Sequence, residues 1–580
     1  MEQQKPDMIT TDNKRRQKQI WLGIFLFIWC VQIAAAVFFC CKKQGFHEDE
    51  YYTYYSTART YGLIVEDGAW MDRDAYRNEF VVLEGQGFQY GLVKLVQSWD
   101  VHPPVYYWIF HTVASFFPGQ FSKWFGLGIN LAAFGISLFL LRILALQVSG
   151  GDEKLSCLIC FFYGFTPAAL SSVVFIRMYA LLTVWTLLCA ILHVGMIRKD
   201  VTEALSFSRF LLPLSIVAYL GFLTHYYYFI FHFSIAVGFC VYLLWKNKKI
   251  WNCIRYGLSM LAAFLLAYLT YPSCLGQMFR GQRGAQATGN FFDVSNTLER
   301  FSFFWKLLDE YVFGGLLLAL LIVVVLLFLY AVKKGTLRIR GGKALLNFLE
   351  EKREYWLLLC AVMGYFLVVS KTALLLGDTS IRYQTPIYGM AVILTFGAVR
   401  GLLGRCRGSA ENVQESEHRI DDVQKKKYET ETVHKRSREK RLQNLLFTVA
   451  ACLCMLLNLS GLLSGRVVFL YPEDAEQIAF AKEKAAQEVP VVCLYDTGQS
   501  WCVWGCADEF FEYDRIYFAG QEQETPIQDS TIAESDSLVV YLSHTAQKEA
   551  QLQRILDSNP KVEAYELQWQ DKYCDVYYFE

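Results

Sequence analysis

The stretch GFHEDEYYTYYSTA, residues 45–58, sets two adjacent acids, Asp49 and Glu50, a few residues beyond a long apolar run. A carboxylate in such a place can take a proton from a hydroxyl group. Cations and hydrogen-bonding side chains recur downstream: Lys94, then His102 at the head of HPPVYYWIFHTVASFFPG (102–119), then Arg177 and Tyr179 in FIRMYALL. LTHYYYFIFH adds His225 and Tyr226, the segment 272–310 adds Arg280 and Arg283, and GDTSIRYQTP adds Asp378, Arg382 and Tyr383. Guanidinium is always charged and binds two oxygens of a phosphate at once. A carboxylate base with such cations suits the transfer of a group from a phosphate to a hydroxyl: the base removes the proton, and the cations hold the departing phosphate as its charge grows. Each residue also has a plainer reading. Acids just past a helix end are commonly a solvated flank, arginines snorkel at interfaces, and tyrosines form aromatic belts.

What brings these residues to one place is the arrangement of apolar segments. The 580-residue chain is 54% hydrophobic and 16% aromatic, and the apolar residues gather in runs of about 20, the length that crosses a bilayer. Eleven spans are predicted, near 20–40, 121–147, 155–174, 178–197, 208–224, 227–245, 252–271, 312–332, 355–376, 383–402 and 443–464. The AAA at 34–36 resembles a cleavage site, but the apolar run continues through VFFCC and reads as an uncleaved anchor. The basic NKRRQK before it places residues 1–19 in the cytosol. Basic clusters after residues 197, 245 and 332 and the charged stretch 403–442 mark further cytosolic turns, so the loops 41–120, 225–227, 272–310 and 377–382 face outward. Residues 102–119 are too short between prolines to span, and their Tyr and Trp content suits a helix lying on the outer surface. All the residues named above then collect on the extracytoplasmic face.

After the last span, 465–580 changes character. PVVCLY, RIYFAG, SLVVYLS and VYYFE read as strands and TAQKEAQLQRILDSN as an amphipathic helix, predicting a small extracytoplasmic α/β domain. Cys30, Cys157, Cys160, Cys189, Cys240 and Cys452 lie in apolar runs and act as small hydrophobes. Cys493, Cys502, Cys506 and Cys574 lie in the polar tail; they could bridge as Cys502–Cys506 or in longer pairs, and spacing leaves the connectivity open. With 55 basic and 55 acidic residues there is no electrostatic reason to expect nucleic acid. No solenoid repeat and no pair of matching broken helices of the transporter kind is evident.

A lipid-linked phosphosugar has its tail in the bilayer and its reacting bond at headgroup level, where these residues are expected. The ordered motifs DE after span one, HPPVYY, RMYALL, THYYY and RYQTP resemble the polytopic GT-C glycosyltransferases, in the branch of protein O-mannosyltransferases and lipid A aminoarabinose transferases, over residues 15–400. The resemblance implies a GT-C-like catalytic module over 20–402, a polyprenyl-phosphate-linked sugar donor, and a glycan, lipid or protein acceptor. It implies displacement with inversion and Asp49 as catalytic base, with Glu50 supporting or positioning the acceptor. His102, Arg177, Arg382 and Tyr383 are similar to donor-phosphate contacts; Tyr179, His225, Tyr226, Arg280 and Arg283 are candidate substrate contacts. Two departures stand out. SSVVFIRMYALL lacks the second acid of many relatives, and Val101 and Pro103 flank His102 where the aminoarabinose transferases carry a lysine, a part Lys94 could take. A divalent metal stays open. The other classes weighed are a flippase or transporter for a lipid-linked glycan, which would normally bury titratable groups mid-span, and an envelope scaffold or sensor.

Overall fold

The structure is a computed structural model and describes residues 5–58, 65–337, 342–407, 445, 448–450 and 452–580. The predicted charged loop 403–442 lies outside the described residues from position 408 onward. Two units divide the chain. One comprises Met1–Val37, Leu131–Val173 and Met178–Val468; the other comprises Phe38–Asn130, Val174–Arg177 and Phe469–Glu580.

Among the described residues eight helices are long and apolar enough to cross a membrane: Arg15–Lys42, Lys123–Val148, Tyr179–Ile197, Phe207–Thr224, Tyr227–Asn247, Ile250–Thr270, Arg353–Thr372 and Thr385–Arg405. Two further pairs qualify together but are bent, Glu153–Gly164 with Pro167–Val174 by 57° and Thr297–Phe313 with Leu317–Lys333 by 88°. Thr448–Leu463 is a shorter apolar helix. Along Ile250–Thr270, Leu258, Leu261, Leu265 and Leu269 are all more than half exposed, a stripe that lipid covers and water would not. The protein is a multi-span helical membrane protein with a small α/β region near its carboxyl end.

Both bends have local causes that hydropathy does not register. Pro167 has no N–H to give to the preceding turn, and the Thr166 hydroxyl caps the restarted helix at the Ala169 amide (3.2 Å). The second bend passes through Gly314 and Gly315, with φ of 62° and 86°, a left-handed pair that glycine adopts without steric cost. The reading of 155–174 as one straight span is therefore corrected. So is the reading of 272–310 as a plain loop: it folds into Cys274–Phe279, Gln282–Phe292 and Thr297–Leu308. Polar side chains inside the apolar runs find backbone partners, as buried groups must. Trp29 Nε1 donates to the Gly135 carbonyl (3.0 Å). Gln32 Nε2 donates to that of Cys160 (2.8 Å), reaching it because Gly164 has no Cβ in the way.

The second unit is built on a six-stranded sheet of order β1-β3-β2-β4-β6-β5, with β1 Ala69–Asp72, β2 Val491–Tyr495, β3 Arg515–Gly520, β4 Leu538–Ser543, β5 Tyr565–Gln570 and β6 Cys574–Phe579. β2 pairs in parallel with β3 and β4; the outer pairings are antiparallel. β2 and β4 are buried along their whole length, which is why they read as continuous apolar runs. The four predicted strands appear as expected, and the helix expected over 545–559 spans Lys548–Ser558. Two strands were not foreseen. β5 is an exposed edge, and β1 comes from the first loop, pairing Ala69 with Phe518 and Asp72 with Arg515. The hydrophobic core of this sheet includes Val492, Leu494, Val540, Leu542, Ile555 and Phe579.

Candidate functional site

Glu48–Ala58 forms a helix with Glu48, Asp49 and Glu50 in its first turn, where acids complement the exposed amides and the positive end of the helix dipole. Successive helical residues point about 100° apart, and the three acids meet three environments. Glu48 accepts from Lys572 Nζ (2.7 Å) and from the Tyr573 hydroxyl (3.1 Å). Glu50 is fully buried: it pairs with Lys43 Nζ at 2.9 Å, and takes the amides of His47 and Ile176, each at 2.6 Å. Burial pushes its carboxyl pKa up, while Lys43 and the two amides act against that. Asp49, between them, leaves about a quarter of its side chain exposed, with one carboxylate oxygen 3.6 Å from His47 Nδ1.

The irregular segment 175–177 supplies the cation. Its amides and carbonyls, free of any helix, are taken up by side chains: Glu50 accepts from Ile176, and Asn130 Nδ2 donates to the Phe175 carbonyl (2.5 Å). Arg177 is buried. Its Nη1 donates to the Asp49 carbonyl (2.8 Å) and Thr53 Oγ1 (3.2 Å), its Nη2 faces His102 Nδ1 at 3.1 Å, and its guanidinium lies 5.9 Å from the Tyr107 ring centre. His102 in turn meets Asp100 Oδ2 at 3.3 Å. Burial works to raise the Asp100 pKa, but the His102 hydrogen bond and charge and the Arg177 charge together bring it below the usual carboxylate range. His102 is lowered, first by burial and then by Arg177, with Asp100 acting against that. The structure thus brings Asp49, Glu50, His102 and Arg177 together in one unit. Lys94 lies half-buried on the helix Tyr90–Gln97 of that unit.

The sequence reading passed over Asp100, although D-x-H-P-P places an acid two residues before the histidine. It also passed over Lys43 and Asn130, which hydropathy treats as the flank and interior of spans. Glu50 has no exposed surface, and its contacts tie His47 and Ile176 to the site helix.

The remaining candidates lie in the other unit. Arg382 and Tyr383, in the turn Thr379–Tyr383, are buried; Arg382 Nη2 donates to the Tyr383 hydroxyl (3.1 Å), with the guanidinium 5.0 Å from that ring's centre. The Tyr179 ring lies 5.3 Å from His225 and 5.9 Å from Tyr383. Tyr226 points elsewhere, its hydroxyl bonding the Gln277 side chain. Arg280 and Arg283 are exposed. Two cations unforeseen in the sequence, Arg300 and Lys371, hold this region together. Arg300 Nε donates to the Ser370 carbonyl (3.0 Å) and its Nη2 to that of Ala373, closing the end of Arg353–Thr372. Lys371 Nζ donates to the Asp293 carbonyl, Asn296 Oδ1 and Thr297 Oγ1.

Asp49, His47, His102 and Asp100 do not converge as ligands for one ion. Among the described residues, the group of three metal donors within 4.8 Å of one another is Cys506, Asp571 and Cys574. Of the alternatives left open for the four polar-tail cysteines, the structure brings the longer pairs together: Cys506 faces Cys574 (Sγ to Sγ 3.4 Å) and Cys502 faces Cys493 (3.8 Å).

No family model matches the chain, and no curated protein matches it. Among solved structures, it is similar to ArnT from Cupriavidus metallidurans bound to undecaprenyl phosphate, at 11% identity and a TM-score of 0.48, covering 97% of this chain and 98% of that one. It is also similar to the archaeal oligosaccharyltransferase AglB from Archaeoglobus fulgidus, in complex with an inhibitory peptide and a dolichol-phosphate. There the identity is 10% and the TM-score 0.45, over 94% of this chain and 72% of that one.

Proposed function

We propose that the protein is a membrane glycosyltransferase that moves a sugar from a polyprenyl-phosphate-linked donor to an acceptor hydroxyl on the extracytoplasmic face. Asp49 takes the hydroxyl proton; the acceptor oxygen attacks the anomeric carbon opposite the phosphate; the bond from that carbon to the phosphate oxygen breaks, inverting the centre. The lipid phosphate departs with the electron pair. Arg382 with Tyr383 is assigned to the donor phosphate. Arg177 and His102 hold the segment that carries the base, and Lys94 remains a candidate phosphate contact.

One observation carries this reading: Asp49 is a partly exposed carboxylate whose own backbone carbonyl is fixed by a buried arginine. A general base needs an open carboxylate on a rigid support. The ordered motifs of the sequence supply the donor class. Mass analysis of cell-envelope glycans and glycolipids tests it, in cells with the wild-type protein, with Asp49→Asn, and with none. The expected result is a glycan modification present only with the wild type. A flippase would instead move a fluorescent lipid-linked glycan across vesicle membranes without forming a new glycosidic bond, and that outcome would overturn the reading.

A further inference from the structure

In the carboxyl-terminal region Cys493, Cys502 and Cys506 lie close in sequence and Cys574 well beyond them, and all four meet in the interior. All four are buried free thiols. Cys506 and Cys574 stand 3.4 Å apart, Cys493 and Cys502 3.8 Å apart, and both members of the second pair lie within electrostatic range of Cys574. Asp571 adds a carboxylate. Its Oδ1 accepts from the amides of Tyr573 (2.5 Å) and Cys574 (2.8 Å), fixing the turn between β5 and β6. Its Oδ2 lies 3.9 Å from Cys574 Sγ. The approach of the turn to Trp501–Gly505 depends on Gly505, where a Cβ would come within 2.3 Å of the Tyr573 ring.

We propose that Cys506, Cys574 and Asp571 form a structural site for a zinc-class divalent cation, its fourth position falling to the adjoining Cys493–Cys502 pair. Tetrahedral zinc with bonds of about 2.3 Å to sulfur sets two thiolates about 3.8 Å apart, close to the separations seen here. Thiolate with carboxylate is a donor set for zinc rather than for magnesium or calcium. The site has a mechanical consequence. Lys572 and Tyr573, inside the turn that the cation would clamp, are the partners of Glu48, the residue before Asp49.

The test uses the full-length protein, purified in detergent without added metal or reductant. Elemental analysis should find one zinc per chain. The four thiols should resist maleimide in the folded protein and react once a zinc chelator is added, with no reductant needed. Asp571→Asn, which keeps the shape of the side chain, should lose most of the zinc, and Cys574→Ser all of it. A metal-free chain whose thiols react only after reduction would overturn the proposal in favour of two disulfides. Thiols that react at once without chelator would overturn it in favour of free cysteines.

Discussion

Arg177 and Arg382 are both buried and both follow a break between apolar helices, yet their surroundings differ. Arg177 is committed to protein acceptors: a carbonyl, a hydroxyl and an imidazole. Around it stand three carboxylates: Asp49 beside His47, Glu50 bonded to the Ile176 amide, and Asp100 beside His102. Arg382 lies against the Tyr383 ring, which meets the Tyr179 ring, itself beside His225, in a region fastened by two cations that close helix ends. The first environment suits proton removal. The second offers donors to an anion. A shared residue type in similar local contexts thus meets different chemical surroundings.

The largest expected effect falls on the open acid. Asp49→Asn should lower turnover by roughly 10²–10⁴-fold, with little change in apparent melting temperature because the side chain is partly solvated. Turnover on a purified donor and acceptor, with thermal unfolding in detergent, checks both halves. A variant that changes only donor KM would erase the contrast between the two regions.

Its neighbour should behave in the opposite way. Glu50→Gln leaves Lys43 as an uncompensated buried charge, a loss of about 3–5 kcal/mol, so the apparent melting temperature and the yield of folded protein should fall sharply. A Glu50→Gln protein of wild-type stability would show that the ion pair does not hold the site helix.

The arginines themselves should separate by kinetic parameter. Arg177→Lys cannot reach Asp49, Thr53 and His102 together; losing charged hydrogen bonds of about 1.5–3 kcal/mol should lower kcat by roughly 10–100-fold with donor KM little changed. Arg382→Ala should raise donor KM about tenfold and spare kcat, the split that distinguishes ground-state binding from transition-state positioning. Equal effects of the two variants on both parameters would mean that the regions share one role.

Much of the fold was legible in the sequence because apolar run length and strand periodicity are local signals. RIYFAG coincides with β3, and eight of the eleven expected spans correspond to single helices close to their predicted ranges. What escaped depends on residues distant in the chain. β1 is four half-exposed residues that become a strand only by pairing with β3. Pro167 and the Gly314–Gly315 pair bend helices whose hydropathy runs straight through them. At the site, residue types and motif order singled out Asp49, His102 and Arg177, which the structure brings together. They did not distinguish the open acid from the buried one, because exposure is set by Lys43 and Ile176 and not by the neighbouring letters. Asp100 was missed for the same reason: its meaning comes from His102 and Arg177.

The smallest expected effect concerns pH and belongs to the first region alone. Gly45, two residues before His47, has no Cβ, and one there would overlap Asp474 Oδ2. Burial, then the charges of Asp508 and Glu473, raise the Asp474 carboxyl pKa to about 7, with Lys43 opposing. A carboxyl raised in the folded state binds its proton more tightly there than in the unfolded chain. Its stabilisation is therefore present below the unfolded value near 3.8 and is lost as pH rises through about 7. The apparent melting temperature of the wild type should accordingly decline between pH 5 and pH 8. Asp474→Asn, neutral throughout, should lessen that decline, while Arg382→Ala should leave its slope as in the wild type. A slope unchanged by Asp474→Asn would place the titrating group elsewhere, and a slope changed by Arg382→Ala would tie the second region to the same electrostatics.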